Sequence, residues 1–148
     1  MAIWQVDFMI VKKEVSEENI SENINKIIVW KNSEVKKQSI DNISSTLLYE
    51  KSWCDEIEQY GKIDGTCIKI LHIDDSTVEI SCRLDLREIT IDVIKVIIEF
   101  IKINEGVILV DNMFYNPTTD NMKYIIEASS AYKFCKNPYK FLDGLTNR

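Results

Sequence analysis

The stretch from Ile91 to Ile103 limits the possible folds more than any other. Every position in it is Ile, Val or Phe except Asp92, Lys95, Glu99 and Lys102. Those four polar residues recur at spacings of three and four, which is one narrow stripe of an α-helix. A helix that is apolar around the rest of its circumference must be covered on most sides. In a chain of 148 residues the cover is a sheet plus further helices. Thr90 is placed to cap the helix and Gly106 to end it. The run is too short and too charged to cross a bilayer.

Strands on either side supply that cover. Ala2 to Lys12 alternates Trp4, Val6, Phe8 and Ile10 with Gln5, Asp7 and Met9, a period of two. Thr66 to Ile73 and Thr77 to Leu86 read as two more strands, joined by Asp74-Asp75-Ser76 as a hairpin turn. Val107 to Asp111 is a short apolar strand of the kind buried on both faces. The unit from Thr77 to Asp111 predicts a right-handed crossover joining a parallel pair. Ser16 onward places Ile20, Ile24, Ile27 and Ile28 at helical spacing. Asn32 to Ser45 reads as loop, and Thr46 to Tyr49 is too short to show a period. Ser52 to Tyr60 reads as a short helix, with Ser52 as cap, Asp55 and Glu56 in the first turn and Gly61 after its end. Thr118 or Thr119 caps a helix to about Cys135 with Met122, Ile125, Ser129, Tyr132 and Cys135 inward. Pro138 begins a last helix. The fold class expected is α+β: a single domain with a mixed, mainly antiparallel sheet of about four strands packed by C-terminal helices.

Charge narrows the partners. The net charge is −6 and the pI about 4.9, which argues against a general nucleic-acid or anionic-membrane binder. It suits a protein whose partner is basic. The amino-terminal residues lack the pattern of a signal peptide, so the expected location is cytoplasmic. The frequent Ile, Asn and Lys suggest a bacterium with an AT-rich genome. Cys54, Cys67, Cys82 and Cys135 form no C-x-x-C pair and are expected as reduced, packed thiols.

The residues offer few chemical constellations. Arg83, Asp85 and Arg87 alternate with leucines, so they share one face of a strand. Two readings fit: an arginine clamp for a carboxylate or phosphate, or a solvated face held by cross-strand charge pairs, with Asp7 joining the row. The second is the first expectation, because no Gly-rich phosphate loop accompanies the row. His72 is the sole histidine. Beside Asp74 and Asp75 it permits a metal reading, although Asp-Asp-Ser-Thr is an ordinary turn. No cysteine is paired with a base, and no G-x-S-x-G elbow is present. No cofactor and no metal are expected. Asp55, Glu56 and Glu58 form an acidic group that suits a basic protein surface. Among the aromatics, Trp53 reads first as core, whereas Phe114 and Tyr115 follow a buried strand where a loop would present them to a partner.

Three pieces together carry a resemblance: Trp53 with Tyr60-Gly61, the Arg83–Arg87 strand, and the ending Ser129-Ser-Ala-Tyr-Lys-Phe-Cys-Lys-Asn-Pro-Tyr-Lys-Phe-Leu142. The set resembles small stand-alone bacterial proteins, among them immunity proteins of polymorphic or contact-dependent toxin systems. The resemblance implies a non-enzymatic cytoplasmic binder that neutralises a cognate toxin by direct binding. The expected contact residues are Asp55, Glu56, Glu58, Arg83, Asp85, Arg87, Phe114 and Tyr115. The alternatives are a small-ligand or enzyme domain using the Arg83/Asp85/Arg87 face, and a structural subunit or homodimer.

Overall fold

The computed structural model describes residues 2–14 and 29–136. The helix expected from Ser16 and the one expected from Pro138 lie outside the described residues. The expected α+β class holds. Among the described residues seven strands form one sheet: β1 (Gln5–Lys12), β2 (Val29–Lys31), β3 (Ile57–Gly61), β4 (Cys67–His72), β5 (Thr77–Asp85), β6 (Gly106–Val110) and β7 (Met113–Tyr115). Four α-helices of the described residues accompany them: α1 (Lys37–Ser44), α2 (Ile91–Ile103), α3 (Thr119–Ala128) and α4 (Ser130–Lys136).

The order across the sheet is β3-β4-β5-β1-β6-β7, with β2 continuing beside the start of β5. Every pairing is antiparallel. This corrects the expected parallel pair. β5 and β6 do not touch. β1 lies between them and bonds to both, with Ile10 opposite Ile80 on one side and Ile108 on the other. The helical connection α2 therefore steps over one strand. Insertion of β1 gives that alternating strand a ladder on each edge, which a directly adjacent β5–β6 pair would deny it.

The four strands anticipated are β1, β4, β5 and β6, the middle of the sheet. The three unanticipated ones are short: β3 and β7 form the two edges, and β2 pairs with the start of β5. β3 replaces the helix expected over Ser52 to Tyr60. Its residues bond to β4 from Ile57 opposite Leu71 to Gly61 opposite Cys67, and these long-range bonds override the local capping signals. Gly61 has φ 110, and a Cβ there would sit 2.2 Å from the Thr66 carbonyl oxygen. Its role is thus a close strand approach rather than a helix end. β7 replaces the loop expected at Phe114 and Tyr115. Asp111 and Asn112, at φ 49 and 62, form a two-residue turn joining it to β6, which suits a tight hairpin.

The main core fills the space between one sheet face and the helices. It joins Phe8, Ile10, Trp30, Ile68, Ile80 and Leu84 to Ile97, Phe100 and Ile101 of α2 and Met122 of α3. α1 occupies the region expected as loop, and it buries Ile43 there. Trp30 is buried as well, and its indole N–H donates to the Ile10 carbonyl at 2.9 Å. A smaller cluster on the other sheet face holds Val11 and Val107, with Phe114 packed against it. Thr90 caps α2 as expected, accepting from the Val93 amide. The turn after α2 is made by Glu105 at φ 55, and Gly106 opens β6. The long helix expected to Cys135 breaks at Ser129. That residue turns extended, and its hydroxyl donates to Ile126 O at 2.6 Å and accepts from the Tyr132 amide at 3.1 Å.

Candidate functional site: the β3 edge

Residues 48–50 run along the outer side of β3. The Glu50 amide donates to Gln59 O at 3.0 Å and the Gly61 amide to Leu48 O at 2.9 Å. Tyr49 bridges Tyr60, and their rings meet edge-on at 5.8 Å. This short stretch shields part of an edge that would otherwise offer unpaired backbone groups. It also holds apolar side chains out in water. Leu48 is 71% exposed, Tyr49 59% and Trp53 87%. Trp53 is therefore not the core residue that its size suggested.

Carboxylates lie close to these residues in the sequence. Glu50, Asp55 and Glu56 are exposed. The Cys54 thiol donates to Glu56 Oε2 at 2.7 Å. That bond raises the thiol above its ordinary range and lowers the Glu56 carboxyl. Glu58 is half-buried and shared: Tyr60 donates its hydroxyl to Oε2 at 3.2 Å, and His72 Nε2 lies 2.5 Å from Oε1. Burial of the Tyr60 phenol, followed by the negative charge of Glu58, pushes it up to about 12. The His72 amide in turn donates to Glu56 O at 2.8 Å. His72 thus bonds across the hairpin to Glu58. The neighbouring Asp74 instead closes the turn, accepting from the Ser76 and Thr77 amides at 2.8 and 2.9 Å. Among the described residues no group of three or more His, Cys, Asp or Glu is placed to hold a metal ion.

The Arg83, Asp85, Arg87 row is not a solvated ladder. Asp85 is 0% exposed. Arg87, just beyond the end of β5, grips it with a fork: Nη2 to Oδ2 at 2.8 Å and Nε to Oδ1 at 3.1 Å. Its guanidinium also lies 4.0 Å over the Trp4 ring. The hydrogen bonds from Arg87 hold the Asp85 carboxyl below its ordinary range. Arg83 stands opposite Asp7 in register, as expected, but it turns the other way. Nε donates to Gly65 O at 3.0 Å and Nη2 to Ile63 O, which ties down the loop between β3 and β4. Both arginines are engaged within the chain.

The remaining expected contact residues lie elsewhere. Phe114 and Tyr115 are half-buried on β7, at the opposite edge from β3. Five strand steps separate the two edges, roughly 24 Å at the usual spacing. Tyr115 packs on the core and lies 5.9 Å from Tyr124. The structure thus brings Asp55, Glu56 and Glu58 together and adds Leu48, Tyr49, Trp53 and His72. The signal for Tyr49 and His72 was the β3–β4 pairing, which a helical reading of Ser52 to Tyr60 concealed. No helix of the described residues is long and apolar enough to cross a membrane. No protein-family model matches the chain, and no curated protein or solved structure matches it.

Proposed function

We propose that this chain is a non-enzymatic binding protein whose β3 edge docks on a basic protein surface, in the manner of an immunity protein neutralising a cognate bacterial toxin. The observation that carries the reading is Trp53, an 87% exposed indole two residues before the Asp55–Glu56 carboxylates. A large exposed aromatic with charged residues near it in the chain suits an interface anchor. The acidic rim raises the association rate with a basic partner and selects against acidic ones. The net charge of −6 acts in the same direction over longer range.

The test is capture from the native organism with wild-type chain and with Trp53→Ala, followed by expression of the captured protein in a sensitive cell. A basic protein that is held by wild-type chain alone, and whose toxicity the wild-type chain alone suppresses, is the expected result. Equal capture by both chains, or a captured protein without toxicity that the chain suppresses, contradicts the reading.

A further inference from the structure

Beside the β3 edge lies a half-open cavity of about 340 Å³. Its walls come from two elements far apart in sequence. Leu47 and Leu48 belong to the segment that borders β3, while Ile89 and Val93 belong to the turn after β5 and the first turn of α2. Two carboxylates stand at its rim, Glu50 and Glu88. Glu88 accepts from Lys62 Nζ at 3.2 Å. The Glu50 side chain has no hydrogen-bond or ion-pair partner among the described residues. The cavity therefore offers an apolar interior and one uncompensated negative charge at its mouth.

We propose that this cavity is the anchor pocket of the docking edge, and that it takes an apolar side chain of the partner protein that adjoins a lysine or arginine. The inference rests on the docking reading, because Leu48 and Glu50 belong both to the exposed edge and to the cavity. Binding energy at protein interfaces concentrates where a large apolar side chain fills a desolvated pocket. A cation beside that side chain finds Glu50 unpaired and gains a charge-assisted hydrogen bond without displacing Lys62. At the small end of the range for ligand sites, the cavity suits one side chain better than an extended ligand.

A random displayed-peptide library panned against the full chain tests the pocket. Recovered peptides are then titrated against wild-type, Val93→Gln and Glu50→Lys proteins. Val93 is half-buried and packs on the core, and Val93→Gln offsets part of that lost packing by completing a capping box with Thr90 at the start of α2; Glu50 is exposed, so Glu50→Lys removes the charge without touching the core. The expected peptides place Leu, Ile, Phe or Met next to Lys or Arg, and each variant binds them at least tenfold more weakly. Peptides lacking that pairing, wild-type affinity in either variant, or recovery of no peptide overturns the pocket. Trp53→Ala separates the two readings. Loss with Trp53→Ala alone overturns the pocket and leaves the docking edge standing, whereas indifference to all three substitutions overturns both.

Discussion

The Asp85–Arg87–Trp4 joint and the Trp53–Glu56–Glu58 edge use the same ingredients, carboxylates beside an indole, to opposite ends. At the joint the carboxylate is fully buried, both of its oxygens accept from one guanidinium, and that guanidinium covers the Trp4 ring. At the edge Trp53 stands in water beside exposed Asp55 and Glu56. The lesson is that charge and aromatic content do not mark a contact surface; exposure does. Where carboxylate, guanidinium and ring are stacked on one another within the chain, the group stabilises the fold, even though the Trp4 indole N–H is buried there without a hydrogen-bond partner. Where an indole is left uncovered, a second protein gains by covering it.

The contrast is broken most forcefully by Arg87→Ala. It takes the guanidinium from a buried carboxylate, which keeps the backbone amide of residue 87 as a donor at 3.0 Å, so stability should fall clearly more than for an exposed substitution. Urea denaturation measures it. The same variant removes an acid dependence. The folded Asp85 carboxyl titrates below its unfolded value of about 3.9, so its contribution is present above that pH and is lost as the pH falls through the folded value. Wild-type chain should therefore lose more stability than the Arg87→Ala chain between about pH 4 and the strongly acid range. Equal losses would mean that the pair is not what holds the joint.

Trp53→Ala is the converse. Its stability should change by less than about 0.5 kcal/mol, as for other exposed positions, while partner binding falls by about 2 kcal/mol or more, as for an interface hot spot. A large loss of stability would show that the indole is covered in the free protein.

The central strands were readable because period-two alternation in β1, β4 and β5 survives any choice of neighbour. Their order was not, since placing β1 between β5 and β6 depends on pairings as distant in sequence as Ile10 with Ile80 and Ile10 with Ile108, which no local pattern encodes. β3 was misread because Ser52, Asp55 and Gly61 carry helix start and stop signals that a turn and a close strand approach also use. In the Arg83–Arg87 stretch the shared strand face was legible for Arg83 and Asp85. The direction in which each arginine turned was not, because it is set by the Ile63 and Gly65 carbonyls and the Trp4 ring. Asp55, Glu56 and Glu58 were legible as an acidic group, but the exposure of Trp53 depends on a loop conformation with no periodic signal.

The smallest effect sharpens the edge itself. Tyr60 should resist ionisation up to about 12, so a spectrophotometric titration should show one tyrosine lagging behind the rest. This raised value favours the folded state at lower pH, and that contribution is lost as the pH rises above about 10, the unfolded value, toward 12. Glu58→Gln removes the adjacent charge and should bring the lagging tyrosine down without unfolding the chain. An unchanged titration would mean that Glu58 does not face the phenol in solution.

Hydrogen exchange on the chain, free and bound to the protein that it captures from the native organism, tests the central claim most directly. The account predicts new protection over residues 48–58, with the β7 hairpin at 113–115 unchanged. Protection confined to residues 113–124, with 48–58 exchanging as in the free chain, would contradict it.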